Sequence, residues 1–383
     1  MNITIVFFVA FFIIHTALHY YIFIRGWQAI PKRLYIGWIY SSIFFIFYIS
    51  SLLGFLLQRF TYSPLISLFS WIGHLWHGAV LYLFISIILI DLLRLLLKLF
   101  RFYPKVPKES YQRIKQILLI TVTSIIIIVL VIGYRNAANI KVTGLHINVH
   151  KKAGQLRSLN VLMVSDIHIN SIFTKAKLEN IVNKINSLHP DIVLFVGDIV
   201  DNVIEPFKQR GMGQILLKIE SKYGIFAVLG NHEFFGDVDE TINHLSKFRI
   251  RFLRDRVIKI DNSFFLIGRE DLSSERFLLR KRKSLKYLTA NIDKSLPIIL
   301  MDHQPFDLQE AYDNQIDLQL SGHTHNGQMF PLTQIVKMIF EVSWGYIQKG
   351  GVHYYITSGV GTAGAPYRIS TISEIVNIKI DFD

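Results

Sequence analysis

The sequence contains no cysteine among its 383 residues, and that absence removes several chemistries at the outset. Disulfide bonds, thiolate metal ligands and a cysteine nucleophile are all excluded. Acidic residues are nearly missing from residues 1–141, where 13 lysines and arginines accompany only Asp91 and Glu109. Residues 142–383 carry 28 basic and 26 acidic side chains, so they lack the basic field with which proteins bind nucleic acid, and we expect no nucleic-acid partner.

The sequence is rich in long apolar runs. The chain is 51% hydrophobic with a mean hydropathy of +0.37, which is too apolar for an ordinary soluble enzyme. Each of four stretches has about the ~20 residues that cross a bilayer, which predicts four transmembrane helices. The first has neither a basic leader nor a small-residue cleavage site, so we expect it to be retained. The four stretches are residues 3–24, 34–57, 71–90 and 117–134.

The loops between these stretches predict an orientation. The first loop carries three basic residues, the third carries seven, and the second has only Arg59. Because cytoplasmic loops are rich in lysine and arginine, the first and third loops should face the cytoplasm. We therefore expect a multi-pass protein of the cell membrane whose C-terminal part, after Tyr134, lies outside the cytoplasm.

Four histidines fall inside the apolar stretches: His15 and His19, and His74 and His77. Spacings of four and three residues put each pair on one helix face, which could suit a metal ion or haem. No carboxylate or cysteine accompanies them in these stretches. The sequence therefore favours hydrogen bonds between helices, or a place at the headgroup level, over a cofactor site.

From about Val142 the pattern changes to short Val-, Ile- and Leu-rich runs that alternate with polar, helix-like segments. This pattern is typical of parallel strands with helical crossovers. Five of the runs end in polar side chains, and open α/β sheets bind ligands beyond the carboxyl ends of their strands. The runs are NVLMVSDIH with Asp166 and His168, DIVLFVGDIVD with Asp198 and Asp201, GIFAVLGNHE with Asn231, His232 and Glu233, PIILMDHQP with His303, and DLQLSGHTH with His323 and His325.

This set of side chains predicts a metal site. Imidazole, carboxylate and amide oxygen are ligands for divalent cations, and two cations about 3.5–4 Å apart need a carboxylate that bridges them. His323 and His325 stand one residue apart, so their side chains can diverge and reach different ions. Five such motifs behind five strands are difficult to explain by structural roles alone.

The motifs resemble those of the calcineurin-like metallophosphoesterases, and the resemblance extends over about residues 147–380. It implies a β-sandwich flanked by helices, with a dinuclear centre on loops at one end. The closing segment SGVGTAGAPYR, residues 358–368, is similar to that of the membrane-associated subgroup. The motifs are DIH at 166–168, GDIVD at 197–201, GNHE at 230–233, DHQP at 302–305 and GHTHNGQ at 322–328.

The resemblance also implies a role for each residue. It assigns Asp166, His168 and His325 to one divalent ion (Mn, Fe or Zn), assigns Asn231, His303 and His323 to a second, and makes Asp198 the bridge. Ions held in this way acidify a bridging water, and the resulting hydroxide attacks phosphorus. His232 is then the expected general acid, or a donor to the phosphoryl oxygens.

Two positions depart from the family pattern. Glu233 follows His232 where aspartate is commoner, so we expect a carboxylate to support His232 at a different distance. Asn326 stands where many members of the subgroup have glycine, which could alter the loop around His325.

The sequence thus predicts a four-helix transmembrane region at residues 1–141, followed by an α/β metallophosphoesterase domain at residues 142–383. We expect hydrolysis of a phosphodiester, pyrophosphate or phosphomonoester held at the bilayer, a range that includes lipid-linked esters, because only about a dozen residues separate Tyr134 from the start of the domain near Ile147. The alternative is a non-catalytic membrane sensor or scaffold that binds a phosphorylated ligand.

Overall fold

The computed structural model describes residues 3–57, 63–102 and 107–383. The chain divides into two compact units, and a boundary between them lies between Ile132 and Gly133. Among the described residues, the first unit comprises residues 3–57, 64–102 and 107–132, and the second comprises Gly133–Asp383 with Ser63. The predicted domain boundary between residues 141 and 142 remains a prediction.

The first unit is helical, and its helices are long and apolar enough to cross a membrane. Two of them extend well beyond the apolar stretches of the sequence, since polar and basic residues continue the helix past the hydrophobic run. The third predicted stretch, residues 71–90, lies inside a helix of 36 residues, or about 54 Å. The helices are α1 (Ile3–Trp27), α2 (Leu34–Leu57), α3 (Pro64–Leu99) and α4 (Lys108–Ala138).

Polar side chains in this unit pair with one another between helices. His15 Nε2 lies 3.0 Å from Ser51 Oγ, and the indole of Trp76 donates to His19 Nε2 at 3.0 Å. Arg25 and Arg94 both pair with Asp91. These contacts match the expected hydrogen-bonding role of His15 and His19, because a polar group in hydrocarbon is costly unless it has a partner.

The second unit contains two mixed sheets of six strands each. In the first sheet the order is β1-β12-β2-β3-β4-β5, and in the second it is β10-β11-β9-β8-β7-β6. Parallel pairing dominates both, from β2 to β5 and from β7 through β9 to β11. The strands are β1 (Ile140–Val149), β2 (Ser158–Val164), β3 (Ile192–Val196), β4 (Ile225–Val228), β5 (Ile250–Phe252), β6 (Arg256–Ile260), β7 (Phe264–Gly268), β8 (Ile298–Met301), β9 (Leu318–Ser321), β10 (Gly345–Lys349), β11 (Val352–Ile356) and β12 (Ser373–Phe382).

Helices cover the outer faces of the sheets. The longest, α5, starts at an N-cap where Thr174 accepts from the amide of Lys177, and its buried residues recur at helical spacing. The helices are α5 (Lys175–Ser187), α6 (Glu205–Gln209), α7 (Gly213–Leu216), α8 (Val238–Leu245), α9 (Ser273–Leu278), α10 (Leu285–Leu288), α11 (Gln309–Asp313) and α12 (Leu332–Ile339), and three short 3₁₀ turns lie at Glu233–Phe235, Ser246–Phe248 and His325–Gly327.

The two sheets pack face to face. Alternate residues of β2 point to opposite faces, as a period of two requires. Val161 and Met163 join Leu266 and Leu320 of the other sheet in one buried cluster, whereas Leu162 packs on the helical side. The predicted fold class, an α/β sandwich flanked by helices after four apolar helices, is confirmed.

The connection between the apolar helices and the sheets is shorter than expected. Helix α4 ends at Ala138 and β1 begins at Ile140, so one residue separates them where about a dozen were predicted. Residues 133–138 of α4 belong to the second unit, and the amide of Arg368 donates to the carbonyl of Gly133 at 2.9 Å. The phosphoesterase fold is therefore joined to the end of α4 by packing as well as by the chain.

Candidate metal centre

The seven predicted ligands meet beyond the carboxyl ends of the strands, on loops with unusual backbone geometry. Five of them have a left-handed backbone, with φ between 47° and 67°. Side chains other than glycine rarely adopt this conformation, and clusters of such residues are typical of functional sites. The five are Asp166, His168, Asp198, His323 and His325.

Two glycines allow the loops to approach closely. Gly197 has a φ of +85°, and a Cβ at this position would lie 2.3 Å from Nδ1 of His303. A Cβ on Gly230 would lie 2.2 Å from Oδ1 of Asp198. Both glycines belong to the motifs, so the motifs specify the shape of the loops as well as the ligands.

Asp166, His168 and His325 form one buried group whose ligand atoms lie within 4.8 Å of one another. The Nε2 atoms of His168 and His325 are 3.0 Å apart, and Nε2 of His325 is 3.4 Å from Oδ1 of Asp166. A hydrogen bond between the two imidazoles satisfies only those two side chains. A cation would satisfy all three, because it accepts a lone pair from each of them.

Asn231, His303 and His323 form the neighbouring group. Oδ1 of Asn231 lies 2.7 Å from Nδ1 of His323. Nδ1 of His303 donates to the carbonyl of Val196 at 2.7 Å, and its Nε2 is buried without a hydrogen-bond partner among the described residues. This arrangement fixes the tautomer of His303 and leaves Nε2 free to bind a metal.

Asp198 lies between the two groups. Its Oδ2 atom is 3.6 Å from Nε2 of His168 and 3.3 Å from Nε2 of His303, so one oxygen faces a histidine of each group. Its Oδ1 atom accepts from the amide of His232 at 2.9 Å. The carboxylate is thus positioned as the resemblance predicts for a bridge.

His232 lies beside the two groups and is partly exposed, as are Asn231 and His323. Its side chain is 24% exposed, whereas those of His168 and His303 are fully buried. Nδ1 of His232 donates to Oδ1 of Asp201 at 2.6 Å, so Nε2 is the ring nitrogen available to a substrate. Asp201 is therefore the carboxylate that supports His232.

Glu233 has a different role from the one its sequence position suggests. Its carboxylate accepts from the amides of Asp198, Val200 and Gly230 at 2.8–3.1 Å. Burial and the neighbouring carboxylate of Asp198 raise the pKa of Glu233 to about 8. Glu233 therefore holds two ligand loops together from behind and does not contact the ring of His232.

The loop around His325 tolerates Asn326 without distortion. Asn326 has a φ of 49°, and asparagine adopts this left-handed conformation more readily than most residues. Its amide also donates to the hydroxyl of Thr324 at 3.2 Å. The replacement of glycine at this position is thus compatible with the loop.

Arg368 supports the same loop, and nothing in the sequence reading predicted its role. It is the largest fully buried side chain, and its guanidinium donates to the carbonyls of Ser358, Gly359, Gly361 and His325. The APYR sequence was the only signal available for it. Because burying an arginine is costly unless its donors are satisfied, these carbonyls hold the closing segment against the loop of His325.

The charges of the site complement a cation. Burial by itself favours the neutral form of Asp198, but attraction to His303 and His232 holds the pKa of its carboxyl well below the usual range. Burial would lower the pKa of His303, yet pairing with Asp198 raises it well above the usual value. Burial raises the pKa of Asp166 to about 6. In the absence of a metal ion the ionised Asp198 is thus balanced by a protonated His303, and a divalent ion would replace that positive charge.

The donor set therefore fits divalent metal ions. It combines imidazole nitrogens, carboxylates and one amide oxygen without a thiolate, which suits Mn, Fe or Zn. His168 Nδ1 and His303 Nε2 are buried nitrogens without partners among the described residues. Nε2 of His303 faces Oδ2 of Asp198 at 3.3 Å, and a metal ion bound by both atoms would take the place of the proton on that nitrogen.

Comparisons with known proteins agree with this geometry. The calcineurin-like phosphoesterase family model matches residues 159–327, which include all seven predicted ligands. A metallophosphoesterase of Aquifex aeolicus is 30% identical over 224 residues, which are 58% of this chain and 85% of that protein. The chain belongs to the calcineurin-like phosphoesterase family.

A second relative is named as a transmembrane protein. A zebrafish transmembrane protein with a metallophosphoesterase domain is 32% identical over 273 residues, or 66% of this chain, and the chain spans 60% of that protein's length. A solved dimetal phosphatase, also from zebrafish, is 11% identical and has a TM-score of 0.35, over 54% of this chain and 88% of that one. A TM-score this low has no bearing on function.

Proposed function

We propose that this chain is a membrane-anchored, metal-dependent phosphoesterase that uses two divalent ions. The observation that carries the proposal is the position of Asp198 Oδ2, which lies within 3.6 Å of a histidine from each of the two ligand groups. One carboxylate oxygen between two sets of donors is what a pair of ions about 3.5–4 Å apart requires. Its substrate is a phosphodiester, pyrophosphate or phosphomonoester held at the bilayer.

The residues around the ions would each have a distinct task. Bound divalent ions would supply the nucleophile and neutralise charge that develops on the phosphoryl group. His232 would give the proton on its Nε2 to the leaving oxygen, while Asp201 accepts from Nδ1 and keeps the ring in that orientation. Glu233 would keep the loops of Asp198 and Asn231 at a fixed separation.

A scaffold that only binds a phosphorylated ligand would have no use for the pair of His232 and Asp201. The exposed position of His232 beside buried ligands is that of a group that meets a substrate. We therefore favour the enzyme over the non-catalytic sensor or scaffold.

The two possibilities predict different results for purified full-length protein. An enzyme loaded with Mn²⁺ should hydrolyse bis(p-nitrophenyl) phosphate, and chelation should abolish turnover and lower the melting temperature. If each ion is present at about 1,000 times its dissociation constant, removing one ion costs about 4 kcal/mol, or roughly 10 °C, and removing both costs about twice as much. A chelator-sensitive melting temperature without turnover of any ester would support the scaffold, and a change in neither would contradict the metal site.

We also propose that the metal centre faces the outside of the cell membrane. The seven basic residues between 94 and 115 favour a cytoplasmic third loop, which places the end of α4 on the other side. Reporter fusions after Arg33 and Glu109 should therefore give a cytoplasmic signal, and a fusion after Asp383 should give an extracytoplasmic one. A cytoplasmic signal at Asp383 would reverse the proposed orientation.

A further inference from the structure

Helix α12 carries an apolar stripe on its exposed side. Ile335, Met338 and Ile339 recur at spacings of three and four residues and are 46%, 79% and 59% exposed. Thr333 on the opposite side is buried. Helices of globular domains normally turn their apolar face inward. In α12 the apolar face is exposed, which is unfavourable if that face meets water.

The stripe lies next to the metal centre. Phe340, which follows α12, has its ring 5.9 Å from the ring of the predicted ligand His323. Phe306, which is 39% exposed, stacks against Phe340 at 4.8 Å. An apolar surface therefore continues from the exposed stripe to a ligand of the site.

The other end of α12 is connected to the end of helix α4. The amide of Phe330, two residues before α12, donates to the carbonyl of Ile369 at 3.0 Å. The neighbouring amide, that of Arg368, donates to the carbonyl of Gly133 in α4, and Asn136 donates back to the carbonyl of Arg368. These bonds keep the start of α12 close to the last turns of α4, a helix that is apolar enough to cross a membrane.

We propose that the stripe of α12, with the exposed ring of Phe330, lies in the lipid bilayer and presents the metal centre to lipid headgroups. The substrate would then be a phosphoester in the headgroup of a lipid whose chains stay beside α12. The membrane contact rests on the exposed surface in and around α12 and on its bonds to the end of α4, whereas the choice of substrate rests on the proposed function.

The composition around α12 fits a bilayer better than a second copy of the chain. Helices that lie in the interface combine a strongly apolar face with basic residues on the polar face, and Lys337 is exposed on the side of α12 away from the stripe. Tryptophan and tyrosine are common at the headgroup level, and Trp344 and Tyr346 are each 43% exposed a few residues later.

The absence of cysteine allows a direct test with the full chain. Met338→Cys and Ile339→Cys would each carry a single spin label in vesicles of phosphatidylcholine and phosphatidylglycerol, with Glu220→Cys as an exposed control. Collisions with oxygen, which partitions into lipid, would be compared with collisions with a water-soluble nickel complex. We expect the oxygen-to-nickel ratio at Met338 and Ile339 to exceed that of the control by about tenfold, as for side chains buried 5–10 Å into the interface.

The other outcomes of this measurement would overturn the membrane contact. A ratio equal to that of Glu220 would mean that the stripe faces water. Protection from both reagents would mean that protein, such as a second copy, covers it. Neither result depends on whether the protein turns over any ester.

The substrate class requires a kinetic comparison. Release of phosphate from phosphatidic acid in phosphatidylcholine vesicles would be compared with release from glycerol 3-phosphate, which has the same reacting group without the chains. We expect the lipid to be favoured, and the double variant Met338→Asp/Ile339→Asp to lower the lipid-to-soluble ratio about tenfold through the lost surface concentration. Gln334→Asp, which adds one negative charge beside the stripe, should leave the ratio unchanged, and the single variant Met338→Asp, which adds the same charge within the stripe, should lower it.

The outcomes separate the two proposals. Hydrolysis of bis(p-nitrophenyl) phosphate without any preference for the lipid would overturn the lipid substrate and leave the phosphoesterase intact. Failure to hydrolyse any ester after Mn²⁺ loading would overturn the proposed function itself.

Discussion

Replacing Asp198 with asparagine is expected to lower kcat/KM by on the order of 10⁴-fold, equivalent to roughly 5 kcal/mol of transition-state stabilisation. Asparagine has the same shape and keeps an oxygen that can accept from the amide of His232. It lacks the charge that Oδ2 offers to both ligand groups. The loss should therefore report on the charge between the ions and not on the shape of the loop.

Metal content provides the mechanistic readout for this variant. Asp198→Asn should bind both ions more weakly, whereas Asn231→Ala, which affects one ligand group, should retain more metal and more activity. Asp239→Asn is a matched control, because it makes the same chemical change on a carboxylate that is 85% exposed. Elemental analysis after Mn²⁺ loading would detect the difference, and a full complement of metal in Asp198→Asn would contradict the bridging role.

The ligand residues could be predicted from the sequence because their positions follow from simple rules. Each apolar run of β2, β3, β4, β8 and β9 ends where a motif begins, and the carboxyl ends of parallel strands meet at one edge. Left-handed residues at the strand ends then turn the side chains toward one another. The strand pattern thus determines the place, and the motif determines the chemistry.

The partner of His232 could not be predicted in the same way. Glu233 is adjacent in sequence, but the 3₁₀ turn Glu233–Phe235 directs its carboxylate toward backbone amides of other loops. Asp201, 31 residues away, takes the place beside the ring. Which of two nearby carboxylates reaches a histidine depends on the turn after the strand, and hydrophobic periodicity carries no information about that turn.

The role of Arg368 was also outside the reach of sequence patterns. A lone arginine near the end of a chain is usually exposed. Here four carbonyls from two loops surround it, and these loops come together only after β11 and β12 have joined different sheets. The site that needs the buried guanidinium of Arg368 therefore exists only in the assembled sandwich, where loops from both sheets meet.

Replacing His232 with alanine is expected to reduce kcat by on the order of 10² to 10⁴-fold, the usual contribution of a general acid. His232 lies in a third group, with His168 and Asp198, whose ligand atoms are within 4.8 Å of one another. If His232 is the acid and not a ligand, metal content should remain near normal, because the seven proposed ligands are unchanged and Asp201 holds Nδ1 of His232. Elemental analysis beside kcat would separate the roles. A large loss of metal in His232→Ala would make this residue a ligand or a structural support.

The pair of Asp201 and His232 adds a test through pH. Burial alone would lower the pKa of His232, but the carboxylates of Asp198 and Asp201 outweigh burial and raise it. Asp201→Asn removes one of these charges, so the pKa of His232 should fall. A general acid must be protonated to act, and the alkaline limb of the kcat profile should therefore move to lower pH in Asp201→Asn. In His232→Ala this limb should be absent, because the group that loses the proton has been removed. If the alkaline limb stayed at the same pH in both variants, it would belong to a different group, and His232 would not be the acid.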